Sequence, residues 1–168
     1  MYEDLLDQAE TLIHLDRTRP KQANLRRAVS ATYYALFHFL TDQATRTLMG
    51  AHAAPYRRVL VRAFVHSDMK AACTSFAGGS LKSAVSKGLP ANIAIPPEVR
   101  HIADSFVDLQ SKRHTADYDL SEQFVRSDVV ATIVETRNAI ESFTNLDNTD
   151  IKKFFLVCLL AWRSLGNR

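Results

Sequence analysis

The apolar residues of this chain recur at the three-to-four-residue spacing of α-helices along most of its length. We find no convincing stretch of the every-second-residue alternation that indicates a strand. The pattern predicts five or six helices, which start near Tyr2, Pro20, Pro55, Pro97 or Glu98, Ser121 and Asp150. The sequence therefore predicts a single all-α domain over residues 1–168, built as an up-and-down bundle of mostly antiparallel helices.

Glycine and proline divide the chain between these helices. Pro20 and Pro55 suit the first turn of a helix, and Gly50 suits the end of the second helix. Residues 78–97 contain several glycines and prolines, and we expect a long loop there, of the kind that is often functional. An additional C-terminal helix is predicted over residues 150–165.

Two of the predicted helices have apolar faces that we expect to be buried. The face of the third helix consists of Tyr56, Val59, Leu60, Ala63 and Phe64. Ser121 is predicted to be the N-cap of the fifth helix, because serine commonly caps helices. The apolar line of that helix consists of Val125, Val129, Ile133, Ile140 and Phe143.

The second helix has two different faces. Its core face consists of Leu25, Ala28, Val29, Thr32, Leu36, Phe39 and Leu40. The opposite face carries, instead of the lysines and glutamates of a solvated helix, Arg27, Ser30, Tyr34, His38 and Thr41. Such a row can line a cleft or a subunit interface. It can equally be a second packing face whose tyrosine and histidine find partners inside the fold.

The composition narrows the class of protein. Apolar residues make up 46% of the chain and charged residues 23%, which is ordinary for a soluble globular protein. The net charge of +3 permits an anionic partner without requiring one. Cys73 and Cys158 form no disulfide framework, which favours a reducing compartment, and we expect a cytoplasmic protein. The longest apolar run, residues 154–162, is shorter than the roughly 20 residues that cross a bilayer, so no membrane partner is expected.

Motif searches exclude several kinds of chemistry. The sequence has no zinc-ligand cluster, no phosphate-binding loop and no nucleophile elbow, so neither a metal nor a cofactor is expected. A basic line with a spacing of four residues follows the third predicted helix: Arg58, Arg62, His66 and Lys70. This line can track phosphates, or it can be an ordinary solvated face. Val61 and Val65 lie away from the main apolar face and would suit a contact with a partner subunit.

The segment RHTADYD, residues 113–119, is the second unusual feature of the chain. If the fourth helix continues through it, Arg113 and Asp117 lie on a face that begins as core. Burying such a pair is costly unless each charge is satisfied, which would indicate a structural lock or a site. The alternative is a modest ion pair at a partly exposed helix end. His114 and Tyr118 flank the pair.

Together, RRAVSATYYALFHFL at residues 26–40 and RHTADYDL at residues 113–120 resemble the HEPN domain superfamily. The resemblance is to its small stand-alone bacterial branch, which has an "SxxYYALFH"-like second helix and a later "ADY" motif. It spans most of residues 2–143. The resemblance implies an up-and-down helical bundle, commonly a homodimer. Many members are metal-independent endoribonucleases that act as toxins or in defence systems.

HEPN nucleases typically carry an arginine, a polar residue, about three others and then a histidine. On this chain, Arg113 takes the arginine position, His114 the polar position, and Tyr118 the histidine position. The resemblance implies that Arg113 holds a phosphate or stabilises developing charge, that His114 transfers protons, and that Tyr118 positions or donates a hydrogen bond. The further residues predicted to bind are Ser30, Tyr34 and His38 in the same cleft, together with Asp117, Arg58 and Arg62.

Two classes of function follow. The first is an RNA- or nucleotide-directed protein, either a toxin-type or defence-associated ribonuclease or a degenerate RNA binder. The second is a non-catalytic helical adaptor or antitoxin-like dimer that binds a protein such as a nucleotidyltransferase. The tyrosine at the expected histidine position bears on this choice, because an unperturbed tyrosine has a pKa of about 10 and does not shuttle protons near neutral pH. The apolar extras Val61, Val65 and residues 154–162 favour the adaptor.

Overall fold

The computed structural model describes residues 1–50, 53–81, 83–87, 89 and 94–166. Within these ranges the protein is helical and has no strand, which confirms the predicted all-α class. The helices are α1 Tyr2–His14, α2 Gln22–Met49, α3 Ala54–Leu60, α4 His66–Ala77, α5 Ser83–Ser86, α6 Pro97–Tyr118, α7 Arg126–Asn145 and α8 Asp150–Gly166. A short 3-10 helix, Val61–Ala63, follows α3. None of these described helices is long and apolar enough to cross a membrane.

The chain divides into two compact units. The first comprises Met1–Phe39 and Ser105–Glu141, and the second comprises Leu40–Asp104 and Ser142–Arg168. Helices α2, α6 and α7 contribute residues to both units, because the boundaries fall inside them. The single domain and the HEPN-like arrangement stay predictions.

In the first unit, α2 is buried on more than one side. Leu36 and Val29 lie in the core as predicted. Tyr33, which lies outside the predicted core face, is also fully buried, and its ring packs 5.6 Å from that of Phe106 on α6. A helix surrounded by protein needs no charged face. This explains why the second face of α2 lacks lysine and glutamate, and why Ser30 is only 4% exposed.

In the second unit, α4 and α5 pack against α8. The ring of Phe155 on α8 lies 4.9 Å from Phe76 and 5.8 Å from Phe143, both in edge-to-face geometry. Such pairs add to the free energy gained by burial alone. The apolar run at residues 154–162 therefore lies in a helix, as predicted, and α8 begins at Asp150 as expected. The run was predicted to be buried, and Phe155, Leu156, Cys158 and Leu159 are buried, whereas the other residues of the run are half-buried.

The predicted third helix is interrupted. Its α-helical part ends at Leu60, and the backbone is extended at Phe64 and Val65, with ψ of 124° and 125°. A new helix, α4, begins at His66. Tyr56 and Phe64 were expected on one buried face, but Tyr56 is 67% exposed and Phe64 is buried. The chain turns at Phe64, and this side chain becomes buried. Tertiary packing therefore breaks the helix that the apolar spacing predicts.

This break corrects two expectations about the third helix. Val59 was predicted to be buried and is 69% exposed. The basic line does not follow one helix, because Arg58 and Arg62 precede the break whereas His66 and Lys70 follow it. A continuous phosphate-tracking stripe on a single helix is therefore wrong.

Ser121 is not a helix N-cap, since α7 begins five residues later at Arg126. Both the hydroxyl and the backbone N–H of Ser121 donate to Asp119 Oδ1, at 2.6 and 2.9 Å, and this closes a turn after α6. Serine side chains commonly make such local bonds in competition with helix formation. Val125, which was expected on the buried line of that helix, is exposed.

The prediction at Gly50 is confirmed, whereas the predicted loop at residues 78–97 contains a short helix. Gly50 ends α2 as predicted, with φ of 69° and its N–H donated to the carbonyl of Arg46. Within the predicted loop at residues 78–97, the structure contains the short helix α5, whose Val85 is buried. The part of this loop at residues 82, 88 and 90–93 lies outside the described residues.

Candidate functional site

Helix α6 continues through RHTADY and ends at Tyr118, so Arg113 and Asp117 lie one turn apart on the same face. Arg113 Nε lies 2.6 Å from Asp117 Oδ2, and the two side chains are 25% and 23% exposed. The Nε–H is not aligned on the carboxylate, so the contact is an ion pair rather than a well-directed hydrogen bond. The pair is thus half-buried, between the two situations that the sequence leaves open.

Two residues of α2 complete the pair's surroundings. The hydroxyl of Ser30 donates to Asp117 Oδ1 at 2.7 Å. Arg113 Nη2 donates to the hydroxyl of Tyr34 at 3.3 Å. Because Asp117 accepts a hydrogen bond from the buried Ser30 and also forms the ion pair with Arg113, the carboxylate links α2 to the guanidinium. We call Ser30, Tyr34, Arg113 and Asp117 the Arg113 network.

Aromatic rings surround the guanidinium. Its central carbon lies 5.7 Å from the ring centroid of Tyr34 and 5.7 Å from that of Tyr118, both within cation–π distance. The ring of His114 lies 5.0 Å from that of Tyr118. Tyr118 is 66% exposed and His114 is also exposed. We call His114 and Tyr118 the aromatic edge.

The guanidinium of Arg113 keeps its positive charge, and only some of its N–H donors have partners inside the protein. Burial by itself acts to lower the pKa of Arg113, but the Asp117 carboxylate and the hydroxyls of Tyr34 and Tyr118 outweigh it and raise the pKa. Nε and Nη2 face Asp117 and Tyr34, whereas Nη1 has no hydrogen-bond partner among the described residues. A guanidinium with a free donor edge is suited to bind a phosphate oxygen.

Arg26 supports this site, and the sequence analysis missed it. Its guanidinium donates to the carbonyls of Thr115, Ala116, Asp119 and Glu122, at 3.4, 2.8, 2.9 and 2.6 Å. These carbonyls belong to the last turn of α6 and the segment after it, where a helix leaves its carbonyls without partners. Arg26 therefore fixes the end of α6 on which the aromatic edge lies.

A four-residue repeat on α2 is the signal that could have found Arg26. Gln22 both accepts from the N–H of Phe124 at 2.9 Å and donates to its carbonyl at 2.8 Å. Gln22, Arg26, Ser30 and Tyr34 follow each other at four-residue steps, and each bonds to α6 or to the segment after it. Polar residues at this spacing share one helix face.

The remaining predicted binding residues are His38, Arg58 and Arg62. His38 is half-buried one turn beyond Tyr34, with ring centroids 6.5 Å apart. Burial lowers the pKa of His38, and the positive amino group of Met1 lowers it further, so the neutral imidazole is favoured. Arg58 and Arg62 belong to the second unit, and their binding role stays a prediction.

Several cavities lie in the first unit. One of about 170 Å³ is lined partly by Ser30 and Tyr34 and so adjoins the Arg113 network. Another of about 380 Å³ is lined by residues that include Lys112 and Thr132, and none of its lining residues belongs to the network. In the part of the chain that the structure describes, no group of three or more His, Cys, Asp or Glu side chains is placed to hold a metal ion.

Comparison with known proteins finds no matching family model, no matching curated protein and no matching solved structure. The resemblance to HEPN proteins therefore stays a prediction that is carried by the two motifs.

Proposed function

We propose that this protein is an RNA-directed, HEPN-like protein that binds single-stranded RNA at the Arg113 network and the aromatic edge. The observation that carries the proposal is the free donor edge of Arg113 beside the exposed ring of Tyr118. RNA offers both complementary groups, since a phosphate can accept from the guanidinium while a neighbouring base stacks on the ring. Only an unpaired base presents its face in this way, which favours single strands.

The same surface offers limited means for metal-independent cleavage. Such cleavage needs a base to remove the 2′-hydroxyl proton and an acid to protonate the leaving 5′-oxygen. His114 is the proton-transfer candidate beside Arg113, and position 118, where HEPN nucleases typically carry a histidine, is a tyrosine. Cleavage would therefore need a second group, which another copy of the chain in a homodimer would supply. We therefore propose RNA binding as the main activity and RNA cleavage as the secondary one.

Fluorescence anisotropy with a labelled single-stranded RNA tests the proposal. A charge-assisted hydrogen bond contributes roughly 1.5–3 kcal/mol, so Arg113→Ala should raise Kd by about tenfold or more. Stacking contributes about 1–3 kcal/mol per base, so Tyr118→Ala should weaken binding similarly while Tyr118→Phe should retain it. Arg163→Ala, an exposed arginine on α8 in the second unit, is the charge-matched control and should leave Kd unchanged.

Two results would contradict this proposal. The proposal would be refuted if wild-type protein binds no RNA. It would also be refuted if Arg113→Ala and Arg163→Ala lose the same RNA affinity, because the loss would then reflect only the net charge of the protein. The same samples, incubated with a chelator and analysed on gels, report cleavage. Loss of cleavage in His114→Ala with RNA binding retained would assign proton transfer to His114.

The adaptor is the second candidate, and exposed apolar residues on α3 favour it. Tyr56 and Val59 lie three residues apart on α3 and are 67% and 69% exposed, so together they offer a small apolar surface for a partner. Under this alternative, purified protein neither binds nor cleaves RNA. Arg113→Ala would then lower the melting temperature and change nothing else.

A further inference from the structure

A small cavity lies beside the Arg113 network, lined by one face of α1 and one face of α2. Its volume is about 170 Å³, well below the roughly 300–1,000 Å³ of pockets for drug-sized ligands. A space of this size suits a single ring system. We propose that it receives one nucleobase of an RNA strand whose phosphate is bound by Arg113, an inference that rests on the proposed RNA binding.

The walls of the cavity have the chemistry that a base requires. Leu5 and Leu12 on α1 and Ala31 on α2 supply apolar surface for the faces of the ring. Gln8, on the same face of α1, carries an amide with both donor and acceptor groups. An amide of this kind can pair with the hydrogen-bonding edge of a base, which is how proteins read unpaired RNA. Gln8 is exposed and makes no hydrogen bond within the described residues, so the amide is available.

The cavity and the Arg113 network share two residues. Ser30 and Tyr34 line the cavity, and each is also bonded to the ion pair, Ser30 to Asp117 and Tyr34 to Arg113. A base in the cavity would therefore lie next to a phosphate at Arg113, as the parts of one nucleotide or of two neighbours do. Arg27 lines the cavity as well and is exposed, so its guanidinium can bind a further phosphate at the cavity's rim.

Two RNA-binding measurements test the cavity. The first compares Kd for short oligo(A), oligo(C) and oligo(U) with wild type and with Gln8→Ala. One net hydrogen bond of about 0.5–1.5 kcal/mol corresponds to roughly two- to tenfold discrimination, which Gln8→Ala should abolish. Thr11→Ala, a change at an exposed residue of α1 that does not line this cavity, should preserve the preference.

The second measurement uses a variant whose side chain fills the cavity, and an RNA that lacks the base proposed to occupy it. Gln8→Trp fills it from the exposed side and should weaken binding several-fold, whereas Thr11→Trp should not. Removing the base from successive nucleotides of the RNA should weaken wild-type binding at one position and leave Gln8→Trp unaffected there. If Arg113→Ala weakens binding but the Gln8 variants and abasic RNA do not, the cavity proposal alone is overturned. If wild type binds no RNA, both this inference and the proposed function are overturned.

Discussion

Arg26→Ala should destabilise the protein far more than a typical surface substitution, because this one side chain donates good hydrogen bonds to three carbonyls. The bond to Ala116 is short at 2.8 Å and partly buried, and a hydrogen bond from a charged donor in such a place contributes about 1.5–3 kcal/mol. The bonds to Asp119 and Glu122 are exposed and should add only about 0.5 kcal/mol each. The bond to Thr115, at 3.4 Å, is too long to count. The expected loss is about 3 kcal/mol.

Urea unfolding followed by circular dichroism measures this loss directly. A destabilisation of this size should lower the melting temperature by roughly 6–12 °C in a chain of this length. Arg26→Lys should lose about half as much, because an ammonium keeps the positive charge near the C-terminus of α6 but cannot donate to all the carbonyls. Arg27→Ala is the matched control, since this neighbouring arginine is exposed and should change stability by less than about 0.5 kcal/mol.

The reasoning is refuted if Arg26→Ala and Arg27→Ala unfold at the same urea concentration. That result would mean that water satisfies the carbonyls at the end of α6 as well as the guanidinium does. If Arg26→Ala is destabilised as expected, RNA binding should also weaken at a temperature where the variant is fully folded, because the aromatic edge lies on the turn that Arg26 fixes.

Three further predictions concern other parts of the molecule. Arg113→Ala should cost only about 0.5–1.5 kcal/mol in urea unfolding, because the Asp117 carboxylate keeps its bond from Ser30; a loss above about 3 kcal/mol would indicate a fully buried pair. Light scattering at micromolar concentration should give twice the chain mass, and a strict monomer would exclude the predicted homodimer. The hydroxyl and N–H of Ser121 hold the pKa of Asp119 below its usual 3.8, so their stabilisation is present above that pH and is lost as the pH falls through the lower, folded-state pKa. Ser121→Ala should therefore make the stability measured by urea unfolding fall less between pH 5 and pH 2.

The spacing of apolar residues predicted a helix correctly where a single face of that helix is buried. The predicted starts of α1, α6 and α8 lie within one residue of the observed starts, and the end of α8, predicted at residue 165, lies one residue later. It failed at Phe64, because Tyr56, Leu60 and Phe64 fit one helical face and only tertiary packing makes the chain turn there. It failed at Ser121 because serine has two local uses, as a cap and in a turn, and the preceding Asp119 decided between them.

From the sequence, only the grouping of site residues on the same helix could be predicted. The four-residue spacing of Arg113 and Asp117 correctly placed both on one face of α6. Which residues of α2 meet that face depends on the register between the two helices, and a single sequence does not contain it. That Ser30 and Tyr34 share a cleft with Arg113 was therefore an expectation from resemblance, whereas their bonds to Asp117 and Arg113 and the bonds of Arg26 were not predicted.

The ion pair determines how the proposed RNA binding should respond to salt. Asp117 offsets the charge of Arg113, so the network adds little net positive charge to attract a polyanion. Affinity should then come mainly from hydrogen bonding and from stacking on Tyr118, which salt screens weakly. Each neutralised phosphate of a single strand contributes about −0.7 to the slope of log K against log salt concentration, so a site with one or two phosphates should give a slope near −1. A slope of about −4 or steeper would instead show that a broad basic surface binds the RNA, and would contradict the assignment to Arg113.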